Sequence, residues 1–162
     1  MRLVAACAAA LALASVAAAA PPREGTLVPG RSLGGVRLGE SAAAVRAALG
    51  TGYGVCRGCA TTTWYYTYRP FDRRGLAVEL TRGRVTGVYT IWQPKGWTTR
   101  GGVRLGALDG ELTAATGPLV AVVCPGYDAR VADSGAARTV YYIFRGRVWG
   151  FGLLRPHANP CR

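Results

Sequence analysis

The chain has 162 residues, half of them hydrophobic, and sets 20 basic residues against eight acidic ones for a formal net charge of +12. With a single histidine and so few carboxylates, a histidine-based metal site lacks partners, and a hydrolase triad or a carboxylate pair is poorly supported. The length fits one domain or two small ones.

Residues 1–20 read as a secretory signal peptide. Met1-Arg2 is a positive start, residues 3–20 are apolar without a charge, and small residues Ala17 to Ala20 precede Pro21-Pro22. Residues 21–33, with Pro21, Pro22, Gly25, Pro29 and Gly30, read as a flexible arm. The rest of the chain is organised by a repeat. Gly34-Gly-Val-Arg-Leu-Gly39 returns as Gly101-Gly-Val-Arg-Leu-Gly106, 67 residues on, and nine of the 17 positions from 34 to 50 are identical at that offset. A fixed period over a short unit marks a duplicated supersecondary module. The two modules are placed at 34–97 and 98–162.

In the first module, Ser41 is placed as an N-cap for a helix over 42–49 that Gly50 ends. A Gly-rich loop follows, then an aromatic strand over 62–69, and a hairpin of strands at 75–81 and 85–92 joined by Arg82-Gly-Arg84. Residues 93–100 link the modules, with Trp97 expected among exposed turn residues. The second helix, near 108–116, is weaker: Leu108 replaces Ser41, and Gly110 inside a helix costs ~1 kcal/mol relative to Ala. The hairpin turn recurs as Arg145-Gly-Arg147 between strands at 138–144 and 148–154. The expected fold class is α+β, as two tandem modules, each a short helix packed on an antiparallel sheet of about three strands.

Cys56, Cys59, Cys124 and Cys161 remain after signal removal. Export makes disulfides the default. Three pairings are open, and Cys56–Cys59 with Cys124–Cys161, one pair per repeat, is favoured. The Cys56-Arg-Gly-Cys59 spacing also suits a thiol–disulfide redox motif, although a thioredoxin-like context needs a helix N-terminus there. Zinc held by all four cysteines is a weaker alternative.

The turn, short helix and antiparallel hairpin resemble the β-lactamase-inhibitor-protein fold and the similar helix-plus-sheet module of outer-membrane-assembly lipoproteins of the SmpA/OmlA type. That resemblance implies two modules whose sheets form an aromatic-rich face that grips a protein.

Aromatic strands with interleaved arginines supply residue types of binding hot spots. The candidate binding residues are Trp64, Tyr66, Tyr68, Trp92, Trp97, Tyr142 and Trp149. The resulting expectation is a secreted, non-catalytic binding protein without cofactor or metal, whose partner is an extracellular or envelope protein. Glu79 is expected to pair with an arginine. The alternatives are a redox protein using Cys56 and Cys59, and a basic envelope protein that binds anionic cell-wall polymer by charge.

Overall fold

The duplicated glycine-rich motif clamps the start of each helix onto the hairpin tip of its own repeat. Gly39 and Gly106 lie in the left-handed region (φ 78° and 89°), where glycine carries no Cβ penalty. Their N–H groups donate to the carbonyls of Val85 and Val148 at 2.8 and 2.7 Å. The Val85 and Val148 N–H groups donate back to the carbonyls of Glu40 and Ala107. Each hairpin turns through two left-handed residues, Arg82-Gly83 (φ 52° and 71°) and Arg145-Gly146 (φ 51° and 72°). That is the type I′ geometry whose twist matches a two-residue hairpin. Arg84 and Arg147 then donate from Nη1 to the carbonyls of Gly39 and Gly106.

A computed structural model describes residues 24–66, 75–91 and 96–162. Within them the elements run β1 (Gly25–Val28), β2 (Ser32–Leu33), α1 (Ala42–Leu49), β3 (Tyr53–Val55), β4 (Thr62–Tyr66), β5 (Leu76–Thr81), β6 (Arg84–Thr90), β7 (Trp97–Thr99), α2 (Asp109–Thr116), β8 (Val120–Cys124), β9 (Tyr127–Asp133), β10 (Arg138–Phe144) and β11 (Arg147–Leu154). The class is α+β with mostly antiparallel sheet. The modules of about three strands are not separate bodies. Eight strands form one sheet in the order β3-β4-β5-β6-β11-β10-β9-β8, and β2-β1-β7 form a second, small sheet. The large sheet reads the same from both edges, one repeat inward to β6 and the other inward to β11. Both hairpins carry a register shift at equivalent places, between Glu79 and Leu80 and between Tyr142 and Ile143.

The helices form as expected. Ser41 Oγ accepts from the Ala44 N–H at 3.2 Å, and Gly50 ends α1. At α2 the lost serine is offset from the other direction, since Glu111 Oε2 accepts from the Leu108 N–H at 2.7 Å. Both helices lie on one face of the large sheet. That face buries Trp64, Tyr66, Leu76, Val78, Tyr141, Phe151 and Leu153 together with Val45, Leu49 and Leu112.

Two expectations are corrected. The flexible arm is ordered from Gly25 on. β1 pairs with β2 and, in parallel, with β7, and Leu27 and Leu33 are fully buried. Alternation of apolar and turn residues hid a strand too short to show a period. Trp97 is not exposed: it is 1% accessible, because Gly25 and Gly34 let the backbone close on its ring. A Cβ at Gly25 would fall 2.6 Å from Trp97 Cζ3, and one at Gly34 2.9 Å from Cη2. Replacing Trp97 with Ala should therefore destabilise the protein by roughly 3–5 kcal/mol, as for other buried aromatics. Urea unfolding checks this, and a loss below ~1 kcal/mol would contradict the packing described.

Candidate functional site

Alternation along the strands sends a second set of side chains to the opposite, outer face of the large sheet. Ala77, Tyr89, Ala129, Val131, Val140, Tyr142 and Leu154 are buried there, with Tyr65, Ile91, Val122, Tyr127 and Trp149 packed beside them. Among the described residues no helix covers this face. The C-terminal segment after β11 does. The Arg155 N–H donates to the Thr86 carbonyl at 3.0 Å. Arg138, held by both Asp133 carboxylate oxygens at 2.8 and 2.9 Å, donates from Nη1 to the Ala158 carbonyl at 2.7 Å. The Cys124–Cys161 disulfide fixes the far end.

Arg162 completes the cover. Its Nε lies 3.0 Å from Glu79 Oε1 and its Nη2 3.3 Å from Oε2, so the expected Glu79–arginine pair exists. Its guanidinium carbon stands 5.6 Å from the Tyr89 ring centroid. The Tyr127 hydroxyl donates to the Arg162 carbonyl at 2.6 Å and accepts from its N–H. β5 and β9 lie four places apart in the sheet, about 19 Å at ordinary strand spacing, and Arg162 touches residues of both.

Burial shapes the tyrosine chemistry. Desolvation, then the neighbouring Tyr65, which hydrogen-bonds it, pushes the Tyr89 hydroxyl far above its usual range. Desolvation likewise raises Tyr142 and Tyr66 strongly, and raises Tyr141. The Asp133 carboxyl is held below its usual range, first by the Arg138 hydrogen bond. Among the described residues, neither the Tyr142 hydroxyl nor the Trp149 indole N–H, both buried, has a hydrogen-bond partner. Among the described residues, no three His, Cys, Asp or Glu side chains converge as metal ligands.

The candidate binding residues divide by face. Trp64 and Tyr66 are core residues under α1, and Trp64 stacks on Tyr53 at 4.0 Å with Arg46 over its ring. Trp97 is core to the small sheet. Tyr142 and Trp149 lie on the outer face, Tyr142 buried and Trp149 partly covered. Tyr68 and Trp92 fall outside the described residues. A broad exposed aromatic face is therefore not what the described residues form. Sequence reading did not single out Tyr89, Tyr127 and Arg162; the aromatic signal of Tyr127 and Tyr89 is single residues among small ones.

What is exposed gathers elsewhere. Val120 (66%) and Val123 (86%) of the edge strand β8, and Phe144 (39%) of β10, are among the large hydrophobics most open to solvent. Val123 pairs with Asp128, which pairs with Ile143 beside Phe144, so Val123 and Phe144 lie at one corner, while Val120, opposite Val131, lies at the other end of β8. Arg145 lies over the Phe144 ring at 5.1 Å, and Trp149 packs edge-on against that ring.

The favoured cysteine pairing is present. Cys56–Cys59 lies in the loop between β3 and β4, where the Cys56 N–H donates to the Thr63 carbonyl. No helix begins there.

The fold is similar to that of a DUF4309 family protein (YjgB) from Bacillus subtilis subsp. subtilis str. 168, with a TM-score of 0.55, 15% identity and coverage of 76% of this chain and 84% of that one. It is also similar to an extracellular protein containing a SCP domain from Bacillus anthracis str. Ames, with a TM-score of 0.52, 8% identity and coverage of 74% of this chain and 44% of that one. At these identities the likeness concerns the fold alone. Neither is described as a β-lactamase-inhibitor protein or an assembly lipoprotein. No protein-family model and no curated protein sequence matches the chain. The two disulfides and the extracellular neighbour are compatible with an extracytoplasmic location, as is the finding that no helix among the described residues is long and apolar enough to cross a membrane. The signal segment itself lies outside the described residues.

Two outcomes follow from this geometry. Cys59 is exposed, whereas Cys124 is buried at 4%. Graded reductant followed by alkylation and mass spectrometry should label Cys56 and Cys59 first, with Cys124 and Cys161 protected until the tail opens. The tyrosines set a pH limit. An unfolded tyrosine titrates near about 10. In the native state Tyr66, Tyr89 and Tyr142 titrate higher, so above that pH the unfolded chain has released protons that the folded one retains. Stability is unaffected by these groups below that pH and should fall as pH rises above it. Tyrosinate absorbance should then rise together with loss of the folded circular-dichroism signal. Early ionisation of the full tyrosine complement in a still-folded protein would contradict it.

Proposed function

We propose that the chain is a secreted, non-catalytic binding protein whose contact surface is the corner formed by β8 and the end of β10. The observation that supports this reading is the exposure of Val120 and Val123 along the edge strand β8, with Phe144 exposed at the end of β10 two strands in. An edge strand presents unpaired backbone N–H and C=O groups, and proteins ordinarily blunt such edges with charge, proline or a covering element. β8 reads Val-Ala-Val-Val-Cys, with no charge or proline inside it. Apolar side chains at an open edge suit a protein partner that adds a strand. The corner keeps the aromatic-plus-arginine character expected from the sequence, through Phe144, Trp149 and Arg145, on fewer residues. The likeness to the inhibitor-protein fold belongs with this reading, since that group grips proteins with its sheets.

Charge supports a second reading. Exposed arginines gather at the two hairpin tips, Arg37, Arg82 and Arg84 at one and Arg104, Arg145 and Arg147 at the other. Binding of anionic cell-wall polymer by such tips is electrostatic and screened within ~3 Å at 1 M salt. The redox alternative has no comparable support, since Cys56–Cys59 lacks the helix N-terminus that lowers a thiol pKa.

A Val120→Lys/Val123→Lys variant separates these readings. Both side chains are exposed, so the fold should survive, as far-UV circular dichroism would show. Immobilised wild-type protein should retain a discrete protein partner from envelope extract in salt of about 0.5 M, and the variant should lose it. If both proteins retain only anionic polymer, and release it at that salt, the edge-strand reading fails and the charge reading stands.

A further inference from the structure

The outer face, on observations separate from those that carry the reading above, holds an arrangement whose chemistry is that of a cation receptor. Glu79 projects from β5, where a register shift displaces its strand against β6. It lies over Gly87: a Cβ there would fall 2.9 Å from Glu79 Oε2. Tyr89 presents its ring face on the next strand, and Tyr65 hydrogen-bonds its hydroxyl. Tyr142 closes the far side, its hydroxyl lying where a side chain at Gly152 would begin, 2.8 Å from a Cβ built there. A carboxylate with aromatic walls attracts a planar delocalised cation twice, by paired charge-assisted hydrogen bonds and by the ring quadrupole. Lysine, a compact and strongly hydrated charge, fits such a fork less well.

We propose that Glu79, Tyr89, Tyr65 and Tyr142 form a guanidinium-binding site, and that Arg162 is its resident and displaceable ligand. The site's ligand class is an arginine side chain carried on an extended segment. Arg162 occupies it with a side chain only 18% exposed, against a Glu79 side chain 17% exposed. The fit is partial. Nε and Nη2 meet the carboxylate, but Nη1 turns back to the carbonyls of its own segment, Asn159 and Cys161. The Tyr142 hydroxyl, 97% buried by residue, is left without a partner. An arginine arriving on another segment has no such call on its Nη1 and can donate to Tyr142. What holds Arg162 in place is its tether: the Cys124–Cys161 bond is one residue away, which makes binding intramolecular. Effective concentrations for short tethers are millimolar or higher, so a free arginine compound of millimolar affinity does not compete in the wild type.

The test uses the full mature chain and L-arginine amide as probe. Wild type should show no saturable change in Tyr and Trp fluorescence. Arg162→Ala should bind the probe saturably at about millimolar concentration, and should bind L-lysine amide at least several-fold more weakly. Adding Glu79→Gln should abolish the response. A folded Arg162→Ala protein that gives no saturable response, or one equal for the lysine compound, overturns the proposal. A measurement on wild type alone guards against a variant that does not fold. The Arg162 Hε resonance should be resolved and exchange slowly, and its side-chain protons should shift upfield under the Tyr89 ring. An Hε that exchanges as freely as that of a solvated arginine overturns the proposal whatever the variants do.

Discussion

Three glycines on the two central strands set what the outer face can hold. β6 and β11 meet over only three paired positions, Gly87 to Leu154, Val88 to Leu153 and Tyr89 to Gly152, and this join carries both repeats in one sheet. Gly87 leaves room for the Glu79 carboxylate. Gly150 and Gly152 leave room for the Tyr142 ring, whose Cδ2 would lie 3.1 Å from a Cβ at Gly150. Glycine inside a strand weakens it and marks a close approach. Here the approach is made by side chains that lie flat over the sheet. Position 79 stands to 87 as 142 stands to 150, so the duplication produced one cradle twice. The copies then diverged, one to a carboxylate and one to a phenol, and their difference makes the face polar at one end and aromatic at the other.

The repeat was legible because it is fixed by local backbone demands. Gly39, Gly106 and the Arg-Gly turns satisfy φ values that few residues adopt, so the same letters return wherever the same clamp is needed. The helices, the hairpins and the one-pair-per-repeat cysteines follow from it. The joining of the repeats was not legible. β6 and β11 are ordinary alternating strands, and nothing in their pattern says that they pair with each other rather than with solvent. The short strands were also hidden. β2 has two residues and β3 and β7 have three, below the length at which a period of two can be distinguished from loop.

The exposure of the candidate binding residues was the least legible feature, for a physical reason. Aromatic residues on a strand are equally consistent with core and with surface, since both faces of this sheet are covered. Trp64 and Tyr66 went to the helix side by register alone, and one residue of slip would have sent them to the outer face. Trp97 required knowledge that Gly25 and Gly34 approach it from a segment that reads as linker. On the outer face the cover is the chain's own tail, whose Pro156, His157, Asn159 and Pro160 look like disordered terminus. Glu79 was the exception. A single carboxylate on an otherwise apolar, alternating strand in so basic a chain must find a cation or pay the cost of burial, and an arginine partner followed from that alone.

The partner's identity did not follow, and the reason bears on the charge of the whole molecule. Among the described residues, Glu79, Asp109 and Asp133 hold arginines in ion pairs. Other arginines among the described residues meet backbone carbonyls instead, as at Arg84 and Arg147. A carboxylate in such a chain is scarce, and where it is spent is informative. Asp109 ties α2 to β9 through Arg130, and Asp133 orients Arg138 toward the tail. Glu79 fixes the tail's last residue over the sheet. Two of the three ion pairs thus serve the C-terminal cover rather than the core, alongside the disulfide with the longest span. A face that only needed burying would be covered by apolar side chains at no electrostatic cost. Asp133 and Glu79 instead each engage a guanidinium group through both carboxylate oxygens, so this cover is held by directed hydrogen bonds as well as by area.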